Sequence, residues 1–257
     1  MRILVCMKAV PTSTEVEVDG QFRLKRDGAV LQWNIADQSA LETALRLCGT
    51  EGQVCVLTMG PPSLSALLRE LLERGAHRAV LVTDPAMAGA DTCATADALA
   101  AAAGQLGPFD LILCGRRAMD GETGQVPGML AQALGLPCVT NVDRAAPCED
   151  GLELDRRMEN GCVTVCMPLP GVVSVCEYSL PLRLPGLLSR RRAKDIPVET
   201  LDARQLGLDP DRCGLAGSPT RVCAMSASFP GLRSCTRLSD PRSAAQQLVA
   251  CVKEVGL

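Results

Sequence analysis

The sequence predicts an α/β protein with a doubly wound, mainly parallel sheet of the Rossmann-like, adenine-nucleotide-binding kind, and three observations lead there. Short apolar or β-branched runs alternate with amphipathic segments over the first half of the chain. The amphipathic segments start near capping residues and stop near glycine. Finally, 257 residues of which 47% are apolar are ample to bury a sizeable core.

Taken in order, Arg2–Met7 reads as the first strand. The stretch Val16–Leu31, with Val16, Val18, Asp19-Gly20, Phe22 and Leu24, reads as a hairpin inserted behind it. Asp37–Cys48 follows as a helix and Gln53–Met59 as the second strand. Ser63 caps a helix whose Leu64, Leu67, Leu68, Leu71 and Leu72 share one stripe, whose other face carries Arg69, Glu70, Glu73 and Arg74, and which ends at Gly75. Ala79–Thr83 is the third strand, Asp91–Gln105 a helix and Asp110–Cys114 the fourth strand. The segment after Thr123 forms a helix with Met129, Leu130, Ala133 and Leu134 inward, before a fifth strand near Cys138–Thr140. A second hairpin is expected at Leu152–Leu154 and Val163–Met167. After Val172–Glu177, prolines 181 and 185 and the basic run Arg190–Arg192 mark a change of character. We therefore divide the chain into an α/β domain, 1–178, and an extended C-terminal arm, 179–257, with a helix near Ser243–Val255. A segment with so little core of its own is expected to pack on another surface.

Composition narrows the function. One histidine excludes a site built on two imidazoles, and five aromatics with a net charge of −3 leave neither a stacking platform nor a basic footprint for nucleic acid. His77, just past a helix end, reads as a cap or an exposed residue. Fourteen cysteines suggest a disulfide framework until their spacing is read: no CxxC occurs, and no signal-peptide pattern follows Met1. Cys162 and Cys166 lie on one strand, about 13 Å apart, too far to bond each other. The thiols are read as reduced packing residues of a cytoplasmic chain. The Ala-rich run at 94–103 is too short to span a membrane and is interrupted by Asp97.

In an open α/β sheet the crevice lies beyond the strand carboxyl ends, where the strand order reverses. With strand one central, two and three on one side and four and five on the other, that place lies between strands one and four. The loop after strand four offers Gly121 and Gly124, the guanidinium groups of Arg116 and Arg117, and a helix start. Such a loop can cradle a diphosphate. It matches neither GxGxxG nor a P-loop, and an ordinary glycine-rich surface turn has the same composition. Asp37, Asp120 and Glu122 could serve as acid/base carboxylates or shape the turn and bond ribose or adenine; we favour the second role.

The same residues carry a resemblance. Gly115–Val126 followed by Met129–Pro137 resembles the adenine-nucleotide loop of the small (beta) subunit of electron transfer flavoproteins. Ile3–Pro11 with Glu15-Val16, Asn34–Asp37 with Ala40–Glu42, and Met59–Pro61 resemble that family's other nucleotide segments. Leu184–Gly186, Ala193-Lys194 and Gly214–Thr220 resemble its C-terminal region, so the similarity is collinear over nearly the whole chain. The resemblance implies a heterodimeric electron carrier whose large (alpha) subunit holds a redox FAD and whose small subunit binds FAD or AMP, passing electrons between dehydrogenases or NADH and acceptors. Carried over, the cofactor contacts fall on Cys6, Asn34, Ile35, Ala36, Asp37, Met59, Gly115, Arg116, Arg117, Ala118, Met119, Asp120, Gly121, Glu122, Thr123, Gly124, Gln125 and Val126. Leu184 corresponds to the apolar anchor for a flavin-dependent dehydrogenase. The loop Asp120–Val126 is closer to the flavin-bearing, bifurcating-type small subunits, which favours FAD over AMP. Asn34-Ile35-Ala36-Asp37 departs from the family's usual Asn-Pro-Phe-Asp or Asn-Pro-Asp-Asp. The rival reading is a stand-alone adenine-nucleotide module of the stress-protein or ATP-pyrophosphatase kind, whose glycine loops do not occur here.

Overall fold

A computed structural model describes residues 1–12, 30–223 and 238–254 of the protein. Along the chain the strands are β1 (Arg2–Cys6), β2 (Ala9–Pro11), β3 (Leu31–Trp33), β4 (Gln53–Met59), β5 (Arg78–Val82), β6 (Leu111–Gly115), β7 (Cys138–Cys148), β8 (Gly151–Met158), β9 (Gly161–Met167), β10 (Gly171–Val175) and β11 (Val198–Leu201). The α-helices are α1 (Ile35–Leu47), α2 (Leu64–Glu73), α3 (Thr92–Leu106), α4 (Val126–Leu134), α5 (Leu187–Ala193), α6 (Gly214–Gly217) and α7 (Pro241–Glu254).

Nine strands form one sheet in the order β11-β5-β4-β1-β6-β10-β7-β8-β9. It is parallel from β11 through β7 and antiparallel in the last two pairings. Central strands of this kind need apolar residues on both faces, and β1 supplies them by alternation. Ile3 and Val5 join a core with Leu41 of α1 and Leu68 and Leu72 of α2. Leu4 and Cys6 join a second core with Leu99 of α3 and Leu130 of α4. The expected doubly wound α/β fold is therefore the observed one, with β1 central and the reversal between β1 and β6.

Three details differ from expectation. Val172–Val175 is a central strand, seated between β6 and the strand at Cys138, because its run of buried residues satisfies two parallel neighbours at once. The fifth strand does not stop at Thr140. It bends at Asn141, whose φ is 62°, slips register between Val142 and Arg144, and continues as the first arm of an antiparallel meander with β8 and β9. His77 is neither a cap nor simply exposed: its Nδ1 accepts the Val54 amide at 3.1 Å, joining the turn after α2 to the start of β4. The hairpin expected at Val16–Leu31 lies, up to residue 29, outside the described residues; on either side of it β2 and β3 pair antiparallel, Ala9 opposite Trp33.

Met1–Cys223 forms one compact unit and Ala224–Leu257 another. Part of the segment after Ser179 belongs to the first unit: β11 adds to the β5 edge, and Ala193, Ala203 and Cys213 are buried. The approach to it is tied down by Glu42 of α1. Its carboxylate is almost wholly buried and accepts from the backbone N, Nε and Nη2 of Arg183 at 2.9–3.2 Å, and from Arg46. Burial works against the ionised form, but these hydrogen bonds hold Glu42 below its usual value. In the basic run, Arg192 donates to the Gly75 and Ala76 carbonyls just beyond the end of α2, and Arg190 sits 3.7 Å from Glu73. Among the described residues of the second unit, α7 spaces Ala244, Leu248 and Val252 along one side. Among the described residues no helix is long and apolar enough to cross a membrane.

Candidate functional site

Most of the residues singled out from the sequence lie at or just beyond the carboxyl ends of β1 and β6 or at the start of α1. Asp37, in the first turn of α1, lies beneath the crevice. One of its oxygens accepts the Lys8 amide at 2.7 Å, just past the end of β1, and the other the Gly115 amide at 3.0 Å, at the end of β6. This single carboxylate spans the point where the strand order reverses. Burial pushes its pKa up to about 7, against the opposing hydrogen bonds of Asn34, Lys8 and Gly115. Gly115 has to be glycine here. A Cβ would fall 2.1 Å from an Asp37 carboxylate oxygen and 2.8 Å from the Ala36 side chain, so the missing methyl lets α1 reach the strand ends.

Asn34, the residue that starts α1, is 1% exposed and holds the loop after β6 from beneath. Its Nδ2 donates to the Arg117 carbonyl at 2.9 Å, and its Oδ1 accepts the Met119 amide at 3.2 Å. Lys8 reaches the same loop from the end of β1, with Nζ 2.6 Å from the Asp120 carboxylate. Ala118 accepts the Glu122 amide at 2.9 Å, and both Glu122 (φ 51°) and Gly124 (φ 63°) adopt left-handed backbone. Residues 121–125 are exposed, and the nearest atom to a Cβ built at Gly121 would be Lys8 Nζ, 4.0 Å away. Gln125, at the start of α4, makes no side-chain capping bond; its Oε1 instead accepts the Thr92 hydroxyl at the start of α3, at 3.0 Å. Pro127 removes one donor from the first turn of α4, while the exposed loop amides precede it.

The arginines are not idle. Arg116 donates through Nε and Nη2 to both oxygens of Glu177, at 3.1 and 2.9 Å, and Arg117 lies 3.8 Å from Glu177 and 3.7 Å from Glu122. Burial opposes ionisation of Glu177, but its backbone hydrogen bond and the two guanidinium groups hold its pKa below the usual range. Sequence reasoning missed Glu177 and Lys8 as site residues. Each lies within two residues of a central strand's carboxyl end, and that position was the available signal. Cys6 and Cys114 stand opposite each other in the β1–β6 ladder, and their mutual hydrogen bond together with burial pushes the Cys114 thiol well up. Both side chains are buried at the base of the crevice.

Ile35 and Ala36 occupy the first turn of α1 beside Asp37, and Val126 begins α4. Met59 ends β4 and packs into the core on the α3 side, toward Met87 and Ala94. Leu184 is not part of this constellation. It is 84% exposed, together with Leu187 (86%) and Leu188 (84%). No group of three or more histidine, cysteine, aspartate or glutamate residues suited to a metal occurs among the described residues.

An open glycine-containing loop, fastened from below and edged by Lys8, Arg116 and Arg117, suits an anionic group such as a diphosphate. The electron transfer flavoprotein domain matches residues 22–206. A protein of Acetobacterium woodii, the caffeyl-CoA reductase-Etf complex subunit CarD, is 39% identical over 227 residues, covering 86% of this chain and 86% of that one. The electron transfer flavoprotein subunit beta of Thermoanaerobacterium thermosaccharolyticum is 38% identical over 232 residues, 88% of each chain. Protein FixA of Rhizobium meliloti is 35% identical over 266 residues, 98% of this chain and 91% of that one.

Proposed function

The chain belongs to the electron transfer flavoprotein family as a small (beta) subunit, and from that premise we propose that its crevice holds the adenosine and diphosphate of an FAD. The observation that carries the reading is the loop 116–125: Asn34 and Lys8 engage its inner side, while residues 121–125 turn an exposed backbone outward ahead of α4. Backbone amides of Gly121–Val126 and the guanidinium groups of Arg116 and Arg117 are the proposed diphosphate contacts, with Ala118, Met119, Asp120, Glu122, Thr123 and Gln125 shaping that surface. Cys6, Asn34–Asp37, Met59 and Gly115 line or support the adenosine side. Asp37 acts there by position, since the chain's own amides engage both of its oxygens.

When bound, a flavin supplies the redox chemistry itself; the protein's contribution is to orient it and to set the charge around it. The Glu177–Arg116–Arg117 cluster keeps the charge at the loop nearly balanced, so an incoming diphosphate takes over guanidinium contacts now shared with carboxylates. As in the family it belongs to, the chain works with a large alpha subunit. A flavin-dependent dehydrogenase docking at Leu184, NADH as an electron source and a cytoplasmic setting are further parts of the proposal. The 179–257 segment is its contact arm.

AMP in place of FAD is the second reading, because both share the adenosine and the first phosphate. Co-purification with the large subunit, followed by denaturation and a count of released flavin and AMP, separates them. Two FAD per heterodimer are expected; one FAD with one AMP would replace the flavin reading with the structural-nucleotide one. A chain that never pairs and hydrolyses ATP would overturn both.

A further inference from the structure

The β7–β8–β9 meander carries a pair of thiols that nothing in the nucleotide reading uses. Cys148 ends β7 and Cys166 lies near the end of β9, with β8 running between the two strands. Their sulfurs are nevertheless 3.0 Å apart. Gly151 makes that approach possible. It faces Cys148 in the β7–β8 ladder with a φ of 147°, and a Cβ there would lie 2.2 Å from the Met167 carbonyl oxygen. The absent side chain lets the backbone just after Cys166 close over the first residue of β8. Cys148 is half-buried and Cys166 exposed, so a small reagent can reach the pair. Cys162, on the same strand as Cys166, is exposed but stands about 13 Å along it.

We propose that Cys148 and Cys166 form a modification site for low-molecular-weight disulfides, which convert the pair into an intramolecular disulfide joining β7 to β9. The step balances without any other reactant. The thiolate of one cysteine attacks the reagent RS–SR, whose sulfur–sulfur bond breaks, giving a mixed disulfide and one RS⁻ that takes up the released proton. The second cysteine, already in contact, then attacks the protein-bound sulfur and expels the other RS⁻, protonated in turn by the second thiol's proton. The protein loses two hydrogens and the reagent is reduced to two RSH. A protein disulfide has its sulfurs about 2.05 Å apart, so the pair has to close by only about 1 Å. The hydrogen bond to Cys148, with burial and the nearby charges of Asp150 and Glu153, pushes the Cys166 thiol up. Cys166 is thereby disfavoured as the first attacker, while its 3.0 Å contact with Cys148 places it to resolve a bond formed there. The site is independent of the nucleotide reading, and a chain that bound no nucleotide would still carry it.

The test treats the reduced full-length chain with graded glutathione disulfide, blocks remaining thiols by alkylation and maps tryptic peptides by mass spectrometry. Arg156 and Arg157 lie between the two cysteines, so the cross-link joins separable peptides. The expected product is one Cys148–Cys166 disulfide, half-formed at a glutathione disulfide concentration at least about tenfold below that which half-modifies Cys162, because the second step is intramolecular. Cys148→Ser should arrest Cys166 as its glutathione mixed disulfide, and Cys166→Ser should do the same to Cys148. The wild-type map decides even if a variant fails to fold. In the wild type, a stable mixed disulfide at Cys166, a cross-link of either cysteine to a different one, or modification no easier than at Cys162 would overturn the proposal.

Discussion

At the scale of single residues, Asp37 is the most exacting position in the crevice. Its two oxygens accept amides from the ends of two different strands while burial raises its pKa to about 7. An unfolded aspartate titrates near 4, so between about pH 4 and 7 the folded chain binds more protons than the unfolded one. Stability from this group is greatest below pH 4 and falls as pH rises through 7. Urea unfolding at a series of pH values should show that decline in the wild type, and Asp37→Asn should flatten it. A variant with an unchanged slope would assign the decline to other groups. That Asp37 lies near the crevice was expected from the resemblance carried by the Asn34–Asp37 segment. That it fastens the chain to itself was not, because its second partner lies 78 positions away and nothing local in the sequence encodes such a pairing. Glu177 escaped notice for the same reason: a carboxylate's meaning depends on the two arginines that the fold brings to it, 61 positions off for Arg116.

At the scale of elements, the meander offers a controlled comparison between two glycines of similar backbone. Gly151 has φ 147° and a backbone carbonyl where its Cβ would go; Gly161 has φ 151° and nothing within 4 Å. Gly161→Ala should therefore cost only its backbone strain, about 1–3 kcal/mol. Gly151→Ala should cost that and a steric term of similar size, about 1–3 kcal/mol more, in chemical denaturation. Equal losses would mean that the backbone at Met167 relaxes freely away from residue 151. Strands β1, β4, β5 and β6 and the helices α1–α4 around them were legible because their periodicity is strong and local. The central place of β10 was not. Val172–Val175 is apolar on both faces, but it follows a hairpin, and sequence order gives no sign that the chain returns to insert a strand beside β6. The bend at Asn141 hid the length of β7 in the same way, since a left-handed residue breaks the alternation from which a strand is read.

At the scale of the whole molecule, the exposed leucines 184, 187 and 188 separate stability from partnership. Three large apolar side chains more than four-fifths exposed within five positions contribute little to the fold. Leu184→Glu should leave the melting temperature of the heterodimer unchanged, within roughly 0.5 kcal/mol of stability. Stopped-flow electron transfer from a partner flavin dehydrogenase should slow at least about tenfold, as expected for loss of a hot-spot anchor. An undiminished rate would move the dehydrogenase contact elsewhere. The order of strands across the sheet also dictates a timetable for a chain emerging from the ribosome. Among the described residues β7 pairs with β8 and β10 alone, so the meander can close by local pairing as soon as it appears, yet it has no seat on the growing sheet until β10 is made. The opposite edge waits longer still, with Arg78 of β5 meeting Glu199 of β11 only after 121 further positions have been synthesised. A nascent chain halted before β10 would thus expose the bare flank of β6, making the stretch of synthesis between β6 and β10 the interval in which the unfinished protein is expected to depend most on chaperones.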